Sequence, residues 1–415
     1  MKTRKNFYDI LKERGFIGQT TNENCLRQLF SEQKVTFYIG FDPTASSFHV
    51  GNLVPIMALT HGQRQGHQPI FLIGGGTGLV GDPSDRDRAR PIMSRQQINQ
   101  NARFLKKQVS RILDFSQNRA LLLNNADWLV KLNYIEFLRD FGVHFSVNRL
   151  LNSESVKIRL KKGMSFLEFN YQLLQAYDFW HQFKNYNCLV QMGGSDQWGN
   201  IVAGVELIRC LENKEAYGIT FPLIKTASGK KMGKTEQGAI WLDPQKTSAY
   251  EYYQFWINTD DADVIKFLHL FTFLPVEEIK NYARLKGSEK RKAKEILAFE
   301  ATKIIHGQKA AEKARQTSHC LFMKDKGQGK RADLIPMIFL REEELKKGIL
   351  ISKLFAVSGL SKSISEARRL ITQGGGYLDG KRLVDPNLLI KKDNFRGGEI
   401  ILRAGKKIYC KIKVK

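Results

Sequence analysis

The chain has 415 residues, 42% hydrophobic and 11% aromatic, with 66 Lys and Arg against 41 Asp and Glu for a formal charge of +25. That length suits two or three domains, and the apolar content is too high for an intrinsically disordered chain. Five scattered cysteines (Cys25, Cys188, Cys210, Cys320, Cys410) form no C-x-x-C pair, which excludes a disulfide scaffold and argues against structural zinc.

No apolar run is long enough for a membrane span, and MKTRKNFYDILKERG reads as an amphipathic helix rather than a signal peptide, so a cytoplasmic location is expected. The charge is uneven. Residues 351–415 hold fifteen Lys and Arg against five Asp and Glu. Such an end is either a solvated basic surface or the contact for an anionic partner such as nucleic acid.

In chain order, residues 35–41 (VTFYIGF) read as a strand, 52–65 as a helix and 69–73 (PIFLI) as a buried strand. Ser94 with Gln97 forms a capping box that opens a helix through Asp114, and residues 121–123 make a short strand. A second capping box, Ser165 with Glu168, opens a helix through about Phe183, followed by a strand at 189–192. Alternating strands and helices predict a parallel sheet. Ser248 with Glu251 opens a mostly helical stretch, and KDKGQGKR reads as a linker. The last segment has a basic helix (SKSISEARRLI), a tight turn (GGGYLDGKRL) and a strand-like end.

Five clusters could carry chemistry. The first, YIGFDPT followed by His49-Val50-Gly51-Asn52, sits where a strand ends and a helix begins. Helix N–H groups point outward at such crossings, and His49 and Asn52 can both donate to a phosphate. Gly51 between them permits close approach of a nucleotide; by itself the pattern also reads as a polar helix start with a chance histidine. The second, IGGGTGLVGDP, is a glycine loop after a strand with Asp82 at its exit, placed to meet a cationic amine; it reads equally well as a plain flexible loop. The third is Tyr171, Gln175 and Asp178, spaced to share one face of a helix that is otherwise apolar. A buried polar stripe needs partners, which a small polar ligand could supply; otherwise the stripe faces water. The fourth, QMGGSDQWGN, is another strand-to-helix crossing in which Asp196 could bind ribose hydroxyls or simply cap the helix. The fifth, KKMGKT, carries two lysines on a small-residue loop that could swing onto phosphates or simply be a solvated loop.

Taken together and in this order, the clusters resemble the class I aminoacyl-tRNA synthetases, whose "HIGH" and "KMSKS" motifs have counterparts in residues 49–52 and 231–235. Within that class YIGFDPT, GLVGDPS, QAYDF, GGSDQWGN and KMGKTEQGAIWLD are similar to the bacterial-type tyrosyl-tRNA synthetase family over nearly the whole chain. The resemblance implies an α/β, Rossmann-like parallel-sheet catalytic domain, then an all-α domain and a small α+β RNA-binding domain. The implied boundaries are a catalytic domain at 1–225, a mobile loop and link at 226–245, a helical anticodon-arm-binding domain at 246–322, a linker at 323–346 and a basic RNA-binding domain at 347–415.

The resemblance also implies roles. Tyr38 and Asp178 would hold the substrate phenol. Asp82, Tyr171 and Gln175 would hold its amino group, with Gln191 and Gln197 close behind. Gly40, Asp42, Thr44, His49, Gly51, Asn52, Gly194 and Asp196 would bind ATP. Thr44, His49, Asn52, Lys231 and Lys234 would stabilise the reacting phosphates, with Arg86 and Arg90 nearby. Lys362, Arg368, Arg369, Lys381 and Arg382 would meet RNA backbone. The implied partners are L-tyrosine, its tRNA, ATP with Mg²⁺ carried on its phosphates and no dedicated metal site, and a second copy of the chain through the apolar stretch 144–151 and Phe166. Two departures stand out. Asn52 replaces the second His of HIGH, and Gly233 the first Ser of KMSKS. The rival readings are a tryptophanyl-type synthetase, a small adenylyltransferase and a catalytically dead RNA-binding homologue.

Overall fold

A computed structural model describes residues 5–414 apart from 85–92, 153, 162, 228, 230–231, 236–237, 323–336, 341, 346–347, 362, 396 and 406–407. The chain divides into two compact units, Met1–Gln308 and Lys309–Lys415.

The first unit is built on five strands: β1 (Thr36–Phe41), β2 (Gln68–Ile73), β3 (Leu121–Asn124), β4 (Cys188–Gly194) and β5 (Tyr217–Phe221). Their order is β3-β2-β1-β4-β5, and every pairing is parallel. β1 and β2 are near-continuous apolar runs because helices cover both faces of the sheet. Side chains alternate along β1. Phe37 points to the face covered by α1 (Leu53–Arg64), whose Gly62 lies against its ring. Tyr38 points to the other face and packs on Phe179 of α3 (Phe166–Tyr186), with ring centroids 5.5 Å apart.

All three capping boxes form, at the starts of α2 (Arg95–Val109), α3 and the helix Ala249–Ile257. α2 stops at Val109, short of the expected Asp114. The Gln63 side chain accepts from Asp114 N at 3.1 Å and donates to Asp114 O at 2.6 Å, so a partner on α1 takes the backbone groups a longer helix would need.

The helices Ala249–Ile257, Val264–Phe271, Val276–Ala283 and Lys290–His306 belong to the same compact unit as the sheet. Buried Arg14 ties them to the N-terminal helix by donating to the carbonyls of His269, Thr272 and Leu274. Burial lowers the Arg14 guanidinium to about 10, which the three acceptors make tolerable.

In the second unit five strands pair in the spatial order Lys381–Arg382, Gly376–Leu378, Glu399–Ala404, Ile408–Val414 and Met337–Leu340. The expected tight turn is a hairpin, with Asp379 and Gly380 both at positive φ. Met337–Leu340 lies inside the stretch expected to be linker, yet it pairs in parallel with Ile408–Val414. The linker expectation is therefore too long at its C-terminal end: MIFL is an apolar run that completes the sheet, and Leu340 joins the core. The basic linker motif itself lies outside the described residues.

Candidate active site

The sheet order places a topological switch between β1 and β4, where successive connections run to opposite sides. Ligands of parallel sheets bind outside the strand ends at such a point. A cavity of about 370 Å³ opens there, lined by Tyr38, Gly40, Asp42, Thr44, His49, Asn52, Asp82, Tyr171, Gln175, Asp178, Gln191, Gly194, Asp196 and Gln197. Thr77, Leu105, Asn125 and Trp241, among others, line the same cavity and were not singled out from the sequence. Gly51 lines an adjoining hollow of about 310 Å³, shared with His49, Asn52 and Asp196 and walled by Val54, Phe221, Leu223 and Ile224.

Tyr38 and Asp178 share the cavity wall, 1% and 2% exposed. Two residues that sequence reasoning missed hold the carboxylate. Asn125 Nδ2 donates to Asp178 Oδ2 and Trp128 Nε1 donates to Oδ1, both at 2.7 Å. They follow β3 directly, so the signal available was Asn125-Ala-Asp-Trp128 at a strand's carboxyl end. Tyr38 Oη, buried, has no hydrogen-bond partner among the described residues, and neither has Oε1 of Gln191, which lies opposite Tyr38 in the β1–β4 register. Other buried polar atoms also lack partners, among them Tyr252 Oη and Trp256 Nε1, but Tyr38 and Gln191 line the cavity, where a polar ligand can complete them.

Burial, opposed by the bonds from Asn125 and Trp128 and aided by the charge of Asp42, raises Asp178 from 3.8 to about 7. Burial, and then the charge of Asp178, pushes the Tyr38 phenol well upward, so it remains a hydrogen-bond donor. Between about pH 4 and 7 the ligand-free folded chain therefore holds a proton at Asp178 that the unfolded chain has lost. Stability from this group falls as pH rises through that window. In urea unfolding, the wild type should lose stability relative to Asp178→Asn from pH 4.5 to 7.5. A difference independent of pH would show that Asp178 titrates in its ordinary range.

The other polar groups form two hydrogen-bonded chains. Tyr171 Oη donates to Asp42 Oδ2 at 3.2 Å, and Thr77 Oγ1 donates to Asp42 Oδ1 at 2.8 Å. Asn200 Nδ2 donates to Gln175 Oε1 and Gln197 Oε1, and Gln197 Nε2 donates to Asp82 Oδ2 at 2.8 Å. Tyr171, Gln175 and Asp178 thus face one cavity on two supports: Asn125 Nδ2 also donates to Thr77 Oγ1 at 3.0 Å, which joins the bonds of Asp178 to those of Tyr171, while Gln175 leans on Asn200. Thr77 and Asn200 were not singled out from the sequence. The glycine loop proves to be closely packed on protein: a Cβ on Gly74 would lie 2.1 Å from Asp42 Oδ1. Its glycine lets the loop hug the Asp42 carboxylate.

His49 caps the 3₁₀ turn Val50–Asn52. Its Nδ1 accepts from Gly51 N at 3.0 Å, and Asn52 Oδ1 accepts from His49 N at 3.1 Å. With Nδ1 accepting, the neutral ring carries its proton on Nε2, which serves as a donor. Asn52 keeps its amide N–H₂ as a donor while its oxygen caps. Gly233, in the KMGKT loop, has φ +95°, and a Cβ there would lie 2.7 Å from Gly51 N and 2.8 Å from His49 Nδ1. The turn at 49–52 and the KMGKT loop touch through backbone at Gly233 and Gly51, which only glycine permits in this conformation. Arg86, Arg90, Lys231 and Lys362 lie outside the described residues, as does the side chain of Lys234. Arg368, Arg369, Lys381 and Arg382 are all exposed on the second unit.

A parallel sheet with a nucleotide-sized cavity at its switch point, a His-capped turn and a lysine loop laid against it defines a class I aminoacyl-tRNA synthetase. The family model "tRNA synthetases class I (W and Y)" matches residues 31–323, and "Tyrosine--tRNA ligase SYY-like C-terminal domain" matches 330–412. The chain is 50% identical over 409 residues to the tyrosine--tRNA ligase of Clostridium botulinum, covering 99% of both chains. It is 53% identical over 425 residues to that of Syntrophus aciditrophicus, again covering 99% of both. A C-terminally truncated mitochondrial tyrosyl-tRNA synthetase from Aspergillus nidulans superimposes with a TM-score of 0.71 at 34% identity, covering 77% of this chain and 95% of that one. The chain belongs to the tyrosyl-tRNA synthetase family.

Proposed function

We infer that the chain activates L-tyrosine with ATP and transfers it to the 3′ end of its tRNA. The observation that carries this reading is the buried Tyr38–Asp178 wall, with one phenol lacking a partner beside a carboxylate fixed by two donors. A para-hydroxylated ring supplies what that wall lacks: its hydroxyl accepts from Tyr38 and donates to Asp178. An indole offers no such hydroxyl, which disfavours tryptophan.

The amino group would meet Asp82, Tyr171 and Gln175, with Gln191 and Gln197 behind them. Gly40, Asp42, Gly194 and Asp196 would border the nucleotide, whose base fits the apolar hollow beside Gly51. The tyrosine carboxylate attacks the α-phosphate in line, and pyrophosphate leaves with its Mg²⁺. Thr44, His49, Asn52, Lys231 and Lys234 would donate to the charge that grows on the phosphates. A hydroxyl of the terminal adenosine then takes the tyrosyl group and AMP departs. Both steps rely on positioning and electrostatics rather than on an enzyme nucleophile.

Residues 246–322 would serve the anticodon arm, and the exposed cations Arg368, Arg369, Lys381 and Arg382, with Lys362, would meet tRNA phosphates. The partner copy would dock on the apolar surface where Ile135, Val143, Val147 and Phe166 are all more than half exposed. A cytoplasmic location fits a chain in which no described helix is long and apolar enough to cross a membrane.

Exchange of labelled pyrophosphate into ATP tests the reading. Tyrosine should support exchange, while phenylalanine and tryptophan should not. Exchange driven by tryptophan, or RNA binding without any exchange, would replace it with one of the rival readings.

A further inference from the structure

Residues 43–48 link the end of β1 to His49 and have no regular structure, yet they include Thr44 and lead directly into the His-capped turn. Apart from the isolated antiparallel bridge of His49 with Trp241 at its C-terminal end, no ladder holds this segment, and side chains from another element hold the rest of it. Two side chains of α2 grip it. Asn101 Nδ2 donates to Pro43 O at 2.9 Å. Seven residues on, Gln108 accepts from Phe48 N at 3.1 Å through Oε1 and donates to Ser46 O at 3.3 Å through Nε2, with the Ser47 hydroxyl 3.2 Å from the same Oε1. Positions i and i+7 lie on one helix face. Leu105 between them lines the cavity. The far side of the segment is held by backbone from beyond the KMGKT loop: Leu242 N donates to Phe48 O at 2.8 Å and Asp243 N to Ser47 Oγ at 3.2 Å.

Gln108 is nine-tenths buried and uses both ends of its amide. A carboxylate in its place could not donate to Ser46 O, and a thioether could do neither job. We propose that Gln108, assisted by Asn101, is the positioning residue that sets Thr44 and His49 against the reacting phosphates during tyrosine activation. The inference rests on the function given above. The grip lies on the nucleotide side only: neither Gln108 nor Asn101 hydrogen-bonds to Tyr38, Asp178, Tyr171 or Gln175 among the described contacts.

The test compares Gln108→Met and Asn101→Ala with wild type. The readouts are the rate constant of tyrosyl-adenylate formation per titrated active site, the KM for ATP and the Kd for tyrosine. Displacing donors by a fraction of an ångström should lower the rate constant of Gln108→Met by roughly 10- to 100-fold. Asn101→Ala should move it the same way by less, with tyrosine Kd within about twofold of wild type. The losses of Gln108→Met and Thr44→Ala should also be clearly less than additive, because a displaced Thr44 has little left to lose. A rate per active site within about twofold of wild type in Gln108→Met, an equal loss of tyrosine affinity, or full additivity with Thr44→Ala would each overturn the inference. Should Gln108→Met not fold, the Asn101→Ala rate and tyrosine Kd decide on the same criteria. Wild type assayed in parallel separates this outcome from failure of the functional reading, which would abolish tyrosine-dependent exchange before any substitution.

Discussion

Asp178→Ala is expected to lower the preference for tyrosine over phenylalanine, measured as the ratio of kcat/KM values in pyrophosphate exchange, by about 100-fold. In the wild type, bound phenylalanine leaves both the Tyr38 hydroxyl and the Asp178 carboxylate without the partner that tyrosine supplies. Above pH 7, where Asp178 is ionised, hydrogen bonds to the charged carboxylate are worth ~1.5–3 kcal/mol and an abandoned buried charge costs more, so the ratio is measured there. Removing Asp178 takes that penalty away from phenylalanine and takes a charged acceptor away from tyrosine, so the two changes act in the same direction. The substitution also orphans Trp128 Nε1, 2.7 Å from the carboxylate, and leaves Asn125 Nδ2 with Thr77 Oγ1 as its remaining partner. A loss of stability should accompany it. Tyr38→Phe is the milder companion. It keeps the ring on Phe179 and removes a neutral hydroxyl, worth about tenfold in the same ratio. A ratio that moves less than tenfold in Asp178→Ala would remove Asp178 from the phenol site.

The second large effect is expected at His49. His49→Ala deletes the Nε2 donor and the acceptor that satisfies Gly51 N. Loss of one well-placed donor to developing charge costs roughly 10²–10³ in rate. Adenylate formation should fall by that much while tyrosine affinity is unchanged, because His49 stands among the residues proposed to meet the nucleotide. His49→Asn separates the two roles: asparagine is itself a good N-cap, so it should restore the turn's stability without restoring the rate. Equal weakening of tyrosine binding and activation would show that the ring supports the fold rather than the phosphates.

The features legible in the sequence were those written in short segments. Three capping boxes declared three helix starts because Ser and Glu or Gln three residues apart satisfy each other's orphan backbone donors. The switch-point residues were legible because a strand, a tight polar turn and a helix follow one another within about fifteen residues. Tyr171, Gln175 and Asp178 were legible because helical spacing puts them on one face. The supports of these groups were not legible. Asn125 and Trp128 are 53 and 50 residues from Asp178 in sequence. Gln108 is 60 residues from Phe48. No local pattern distinguishes an asparagine or glutamine that will clamp another segment from one that faces water. The early end of α2 belongs to the same category, since Gln63, 51 residues away, takes the Asp114 backbone.

Sequence alone carried the class of fold and, through the resemblance of its motifs, the family, and it named many of the polar groups that line the cavity, because each of these is written in residues adjacent in the chain or one to two helical turns apart. Tertiary structure decided what keeps those groups in register: which amides hold the Asp178 carboxylate in a dry wall, which helix grips the irregular phosphate segment, and why glycine stands at position 233. The reason is physical. A buried polar group must find a partner within about 3 Å, and packing of whole elements, not chain proximity, determines which one comes within reach.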